Sequence, residues 1–581
     1  MNNLSENRIC QNCHNEFIIK PEDFSFYEKI KVPPPTFCPG CSHQRRFAWR
    51  NTHALYHRPD SVTGKDLISI YHPDIKMNVV DQKYWWSDAW DAFDYGRDYD
   101  FSQPFFIQWK ELRDKIPFQS LSNSKAVNSD YCNVAEESRD SYLCSASWKI
   151  ERTMYSDSIF ETKDCMDLCV VHKSELCYED VYCSESYKLF YSEKSNSCTD
   201  SYFLYDCHGC VDCFMSSNLR NKSYCFENMQ YSKEEYFEKL KQYNLGSFKT
   251  IQELKKQFED LKIKTIHKYA NIVNSNNSTG DNIDHADNCR SCFDIRDGAK
   301  DSAHTFWGAK GINDCYYCGP GIGWGDTLYE SFDGGAGGGQ FVATSVVYYS
   351  TEVEYSFNCY SCKSCFGCIG LRSKSYCILN KQYSKEEYLE LLPKIKQHML
   401  DMPYIDKKGR VYKYGEFFPV ELSPFVYNET IANDFYPLSK EEIIEKGYNY
   451  REKEDKKYTP TMTTQQLPDD IKDISDTITD DIIDCDTLPG SDLCPKVFKI
   501  IPDELSFYRR FNIPIPRRCY LCRHKARFNK RTPLKLWHRT CMCDKTSHTH
   551  EGKCEVEFET SYAPDRPEII YCEKCYQNEV I

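Results

Sequence analysis

The sequence predicts a mainly β protein, with zinc ribbons at both termini flanking Cys/Tyr-rich thin β-solenoid units that end in short capping helices. Three observations predict it. C-x2-C knuckles stand near both ends of the chain, a twelve-residue rhythm of Cys, Ser and Thr runs through the middle, and two internal duplications relate distant segments.

The first ribbon is read from Cys10-x2-Cys13 and Cys38-x2-Cys41. Each knuckle offers two thiolates on a tight turn, and two such turns close a tetrahedron around one Zn(II). Four thiolates leave no open position, so the site is structural and not hydrolytic. Residues 17–58 lie without a gap on residues 498–539, with 17 of 42 positions identical, among them Cys38/Cys519, Cys41/Cys522 and Phe26-Tyr27/Phe507-Tyr508, and Cys13 matches Cys494 just outside that span. Cys10 falls on Ser491, so Cys485 is assigned as the fourth ligand of a second ribbon beside Cys494, Cys519 and Cys522. A third ribbon follows from Cys554-x3-Phe558, which echoes Cys13-x3-Phe17, and from Cys572-x2-Cys575. Its first ligand is Cys541 or Cys543, and spacing does not decide between them. Three Zn(II) ions are expected.

The chain has 581 residues and a net charge of -14, but the charge is segregated. No acidic residue occurs from Lys29 to Arg58, and thirteen Lys or Arg face only Asp503 and Glu504 between Lys496 and Arg539. Of 33 cysteines, 20 lie between Cys132 and Cys377. The start, MNNLSENRICQNC, has no apolar export core and no 18-residue apolar run occurs, so the expected setting is a reducing cytoplasm without membrane insertion.

In order, the expected segments are ribbon one (1–60); a degenerate ribbon with an aromatic segment and a helix (61–128); solenoid unit one with its helical cap (129–245); a helix and polar loop (246–280); solenoid unit two with a glycine-rich insert and cap (281–400); a Pro/Tyr-rich connector with an acidic segment (401–484); ribbon two (485–540); and ribbon three (541–581). In the degenerate ribbon, Tyr71-x-Pro73-Asp74 lines up with Tyr562-x-Pro564-Asp565, which sets Asp81 and Tyr84 where Cys572 and Cys575 stand. Trp85, Trp86, Trp90 and Phe93 suit either a hydrophobic plug or base stacking. Ser102 is expected to cap a helix with Pro104 in its first turn. From Ser129 the spacing Ser141, Thr153, Cys165, Cys177 suggests coils that place small side chains inside and tyrosines outside. Residues 207–240 repeat as 359–392 with 20 of 34 identities, and each copy carries a capping box, Ser232 with Glu235 and Ser384 with Glu387. The acidic stretch 469–486, with eight aspartates, reads as a solvated helix face or linker.

Other chemistry is weaker. Cys359, Cys362, Cys365 and Cys368 resemble an iron-sulfur run but lack its last spacing and its proline, and Cys289/Cys292 with Cys315/Cys318 have ribbon spacing while also continuing the solenoid rhythm. The glycine-rich stretch has no Walker Lys-Ser/Thr, and no hydrolase or kinase motif attaches catalysis to a residue, so no small-molecule substrate is identified. The basic tails of the ribbons are more specific. Arg46, Arg50, Arg58, Arg523, Lys525, Arg527, Arg531, Trp537 and Arg539 interleave cations with aromatic rings, a pattern that serves phosphates and unpaired bases, or else braces the ribbon against an acidic solenoid.

EDFSFYEKIKVPPPTFCPGC, WWSDAWDAFDYGRDYDFSQPFF, YGEFFPVELSPFVYNET and ETSYAPDRPEIIYCEKCYQNEV resemble motifs of uncharacterised, cysteine-rich zinc-ribbon proteins found mainly in reduced bacterial genomes. The resemblance implies zinc binding and the same domain order. The expected function is non-enzymatic zinc binding with nucleic-acid contact through the ribbons. A protein-interaction scaffold using the solenoid surface is the alternative, and an enzyme of unknown class the second.

Overall fold

The computed structural model describes residues 5–452, 458–548 and 550–580. Residues 1–4 of the first ribbon segment, 453–457 of the connector, and 549 and 581 of the last segment lie outside that description. Two compact units alternate along the chain. Unit one holds Met1–Leu121, Ala270–Arg451 and Pro533–Leu536; unit two holds Ser122–Tyr269, Glu452–Thr532 and Trp537–Ile581. Each contains a ribbon, a β-solenoid and a hairpin module.

In unit two the solenoid runs from Asn123–Ser124 to Cys225–Phe226, where neighbouring rungs pair in parallel with a register of twelve, as in Asp157↔Cys169 and Tyr187↔Thr199, and it closes on the antiparallel strand Met229–Gln230. A period of three is nested inside the twelve. The first residue of each triplet points inward, the second outward, and the third turns the chain through the left-handed region: Tyr155, Ser158, Glu161, Asp164 and Asp167 all have φ between 51° and 58°. Ser156, Ile159, Thr162, Cys165 and Leu168, the inward residues of this stretch, are buried.

A left-handed L-residue costs roughly 1–2 kcal/mol, so the coil persists only if its backbone groups are satisfied. They are. Outward residues donate to the next rung, as Met154 N to Cys165 O at 3.0 Å, and left-handed residues to the previous one, as Tyr155 N to Tyr142 O at 3.0 Å. Many inward N–H groups are taken by a side chain one rung earlier: Thr153 N by Ser141 Oγ at 3.2 Å, Leu204 N by Ser192 Oγ at 3.0 Å, and Cys177 N by Cys165 Sγ at 3.3 Å. The same Ser hydroxyls donate back to a carbonyl, Ser141 to Arg139 O at 2.9 Å and Ser192 to Phe190 O at 3.0 Å. Only a small side chain that both donates and accepts can do this, which is why Ser, Thr and Cys recur at these positions. On an open face Lys125, Glu137, Lys149, Glu161, Lys173 and Glu185 stack with alternating sign, with neighbouring charges 2.9–3.7 Å apart in the pairs 125/137, 149/161 and 173/185. Rungs about 4.8 Å apart would set like charges against each other otherwise.

In unit one the solenoid runs from Ile272–Val273 to Lys381–Gln382 in sheets of eight and nine strands. It begins earlier than expected. The Asn-rich stretch read as a polar loop forms its first rungs, Ile272–Val273, Gly280–Asp284 and Ala286–Asp287, with Asn274, Asn277, Asn282 and Asn288 at left-handed corners that Asn tolerates. The glycine-rich stretch is likewise coil and not an insertion, running through Ile322–Gly323, Asp326–Tyr329, Phe332–Gly335 and Gly339–Val342. Gly335, at φ 94°, passes so close to the previous rung that a Cβ would stand 2.2 Å from Gly323 O.

Both duplicated caps form the expected boxes, Ser232 with Glu235 and Ser384 with Glu387, opening the helices Lys233–Leu240 and Lys385–Asp401. Three local expectations need correction. Ser102 does not cap the helix Phe105–Lys115; its hydroxyl bonds Asp100, and Pro104 takes the cap position in extended conformation. The acidic stretch is neither a solvated helix nor a free linker. Ile471, Ile474, Ile478 and Ile483 join the core of unit two while Asp469 accepts from Lys249 N at 2.9 Å, at the start of the helix Phe248–Lys264. Some of the tyrosines outside the solenoid are covered too: Tyr155, Tyr178 and Tyr191 are buried with Phe507 and Tyr508 of the ribbon helix Pro502–Phe511, while Tyr131 and Tyr187 stay exposed.

Candidate metal centres and the buried basic faces

In the first ribbon the hairpin Glu6–Ile9/Glu16–Ile19 delivers Cys10 and Cys13, and the helix Pro39–Phe47 carries Cys38 at its N-cap and Cys41 in its first turn. The second ribbon repeats the arrangement. Cys485 follows the strand Ile483–Asp484 as Cys10 follows Glu6–Ile9, and Cys519 caps the helix Tyr520–Phe528. The four sulfurs of each set lie within 4.8 Å of one another, as do those of Cys541, Cys554, Cys572 and Cys575.

Sulfur separations fit a shared ion. A tetrahedron with metal–sulfur bonds of about 2.3 Å has edges of about 3.8 Å. The structure has 3.7 Å for Cys13–Cys38, 3.8 Å for Cys485–Cys522, 3.8 Å for Cys519–Cys494 and 4.0 Å for Cys554–Cys572. All three sets also share one orienting bond, from the backbone N–H of the third cysteine to the sulfur of the first: Cys38 N to Cys10 at 3.3 Å, Cys519 N to Cys485 at 3.2 Å and Cys572 N to Cys541 at 3.2 Å. That bond places Cys485 in the role of Cys10, and Cys541 rather than Cys543 in the third set. Crowding sets the thiols against each other. Hydrogen bonds from Cys38 and Cys41 push Cys10 far below the usual thiol range, while Cys10 and then Cys38 push Cys41 up. A bound dication would let all four ionise together.

The solenoid cysteines behave differently. Among the described residues none belongs to a set of three or more donors close enough to share an ion. Cys289 and Cys315 give their thiol protons to the carbonyls of Asp287 and Asn313, and Cys359, Cys362, Cys365 and Cys368 do the same with Phe357, Tyr360, Lys363 and Phe366. The iron-sulfur and second zinc readings therefore lose their geometry. No disulfide forms.

The basic tails do not face water as the nucleic-acid reading requires. In unit one Arg46 is fully buried and paired with Glu330, and Arg45 joins Glu330 and Glu416, both at 2.9 Å. Arg50 pairs with Asp333 at 2.6 Å, where burial pushes the Asp333 carboxyl up to about 6 in spite of the guanidinium. Buried Arg58 donates to the carbonyls of Tyr71, His72 and Met77. In unit two Arg523 meets Asp167 at 3.0 Å and Glu504 at 3.3 Å, Arg527 meets Asp167 at 2.8 Å, and Arg531 meets Ser158 Oγ at 3.4 Å. The side chains of Arg523, Arg527 and Arg531 are all at most 9% exposed. Lys530 bonds Glu193 at 2.8 Å; burial works against that carboxylate, but Lys530 and Lys262 hold it down at about 2. Lys525, over the Phe528 ring, and Trp537 and Arg539, on the strand Trp537–Thr540, remain partly exposed. Within the aromatic cluster Trp85 and Trp90 form a plug while Trp86 stays exposed: Trp85 donates to Pro117 O, and the Arg372 guanidinium lies 5.6 Å and 5.5 Å from the Trp85 and Trp90 rings.

The carboxylates that receive these arginines were not picked out by sequence. Glu330, Asp333 and Asp167 sit at left-handed corners of the solenoids, positions that only the three-residue frame would have singled out. The chain matches no family model, and no curated protein resembles it. Among the described residues no helix is long and apolar enough to cross a membrane.

Proposed function

We propose that the protein is a non-enzymatic zinc-binding scaffold. Three Zn(II) ions fold the cysteine modules, the two ribbons clamp onto their solenoids through basic faces, and the solenoid faces left open meet a protein partner. The burial of Arg46 against Glu330 and of Arg527 against Asp167 carries this reading, because the guanidinium groups most suited to phosphate are committed to the protein's own carboxylates. Closed four-thiolate sets with tetrahedral spacing disfavour metals that seek oxygen ligands, such as Mg(II) and Ca(II), and suit Zn(II), the ion proposed here. The open face of the unit-one solenoid supports the partner. It presents Trp324 and Tyr349 half-exposed, with Lys310 Nζ 4.6 Å from the Trp324 ring centre, and aromatic side chains of this kind dominate protein contacts.

Affinity capture with the full chain, after nuclease treatment, tests the proposal against Trp324→Ala/Tyr349→Ala. A protein retained by the parent and lost from the variant supports it. Gel shifts with single- and double-stranded DNA and RNA across a salt series test the nucleic-acid reading. Tight, salt-dependent binding that survives Trp324→Ala/Tyr349→Ala would overturn the scaffold in its favour.

A further inference from the structure

Cys543 is the one terminal cysteine that the three four-sulfur sets leave over. Its sulfur is buried, and it gathers a second group of donors, His548, His550 and Cys575, whose ligand atoms all lie within 4.8 Å of one another. Cys575 already belongs to the set with Cys541, Cys554 and Cys572. We propose that the C-terminal module holds two zinc ions and not one, bridged by the Cys575 thiolate, with Cys543, His548 and His550 completing the second tetrahedron. The proposal rests on the reading of the third four-cysteine set as a metal site and extends it.

Four features argue for it. Both imidazoles are oriented as metal-ligating histidines are, with one nitrogen held by a hydrogen bond and the other turned to the cluster. His548 Nε2 lies 2.9 Å from Glu579 Oε1 while its Nδ1 stands 3.1 Å from Cys543 Sγ. His550 Nδ1 lies 2.9 Å from the Gly552 carbonyl, and its Nε2 is a buried atom with no hydrogen-bond partner among the described residues. A buried, unpartnered ring nitrogen costs free energy unless something accepts its lone pair. The ligand count also closes: seven donors with one shared give four to each ion, as tetrahedral zinc requires. The charge is milder too, since five thiolates and two neutral imidazoles surround two dications, whereas a lone tetrathiolate leaves a single ion with twofold excess negative charge. Finally, the module has little else to fold around. Its buried cluster consists of five cysteines with Tyr571 and Tyr576, and a second ion would tie the long loop 541–556 to the helix Glu573–Val580.

Elemental analysis and native mass spectrometry of the zinc-loaded full chain should give four zinc ions per chain, falling to three in His548→Ala/His550→Ala. Cadmium-113 substitution of the parent chain gives a readout that needs no variant. Two of its four resonances should be split by mutual coupling through the shared sulfur, a signature that separate sites cannot produce. Three ions, with three uncoupled resonances, would overturn the bridged pair while leaving the four-cysteine sites intact. Two ions or fewer, with no metal at Cys541, Cys554 and Cys572, would overturn both.

Discussion

The module at 56–86 and the module at 537–580 share an order of elements but are held by different forces. Each opens with an antiparallel hairpin, Tyr56–Pro59/Asp66–Ser69 in one and Trp537–Thr540/Glu557–Thr560 in the other. Each continues into a strand, Asn78–Val80 or Ile569–Tyr571, that pairs in parallel with a strand just ahead of a solenoid, Pro117–Gln119 or Ile266–Lys268. Each then enters a helix, Gln82–Trp86 or Glu573–Val580. The difference is the hairpin loop. At 60–65 it is short, and Asp60 ties it by accepting from the N–H groups of Val62, Thr63 and Asp81 at 2.7–2.8 Å. At 541–556 it is long and brings Cys541, Cys543, His548, His550 and Cys554. Where donors are present the core is cysteine; where they are absent Val79, Val80, Trp85 and Trp109 are buried instead. The pair teaches that a cluster of metal-donor cysteines and a compact aromatic core are alternative centres for one small fold.

The widest separation between the two modules should come from chelation. Structural zinc contributes apparent binding energies of about 10–16 kcal/mol in zinc-finger peptides, so stripping the metal should open the 541–556 loop to protease and leave 56–86 protected. Hydrogen exchange read by mass spectrometry measures both at once, and equal loss in the two would break the comparison. Trp85→Ala should show the reverse. Removing a fully buried Trp costs about 3–5 kcal/mol, felt in 56–86 and not in metal content.

Asp167→Asn tests the clamp common to both ribbons. It strips the partner of two buried guanidinium groups, and a loss of about 3–5 kcal/mol in unit two is expected from urea denaturation, whereas a surface pair would give under about 1 kcal/mol. Acid should act on the same unit through Glu193. Its folded pKa of about 2 lies below the ordinary 4.5, so the unfolded chain binds the proton more tightly. Its contribution, on the order of 3 kcal/mol, is intact above pH 4.5 and lost as pH falls toward 2. Glu193→Gln should flatten the stability profile across that window; an unchanged slope would show that Lys530 and Lys262 do not depend on its charge. The smallest effect belongs to Ser384→Ala, about 1 kcal/mol from the lost helix cap, measured by thermal unfolding.

Much of the metal chemistry could be read from spacing. Cys38 and Cys41, or Cys519 and Cys522, sit on one helical turn whose geometry is local, and the 481-residue offset set Cys494 in the place of Cys13. The choice of Cys541 over Cys543 could not be read, because both lie in one long loop and only its path sets which sulfur meets Cys572 N–H. The solenoid was visible as a twelve-residue rhythm. Its three-residue frame was not, since Ser141 and Ile150 both occupy inward positions and hydropathy alone does not group them. For the same reason Asn-rich corners passed for a loop and glycine-rich rungs for an insert.

Residue order alone determined which cysteines share a knuckle, Cys38 with Cys41 and Cys519 with Cys522, and that small, hydrogen-bonding side chains recur along the coil, because both follow from contacts a few residues apart or one rung away. What the arginines face was decided only by tertiary structure. A guanidinium beside an aromatic ring suits a phosphate or a buried carboxylate equally well, and Glu330 and Asp167 reach theirs from far along the chain, once the solenoid has wound and the ribbon has settled on it.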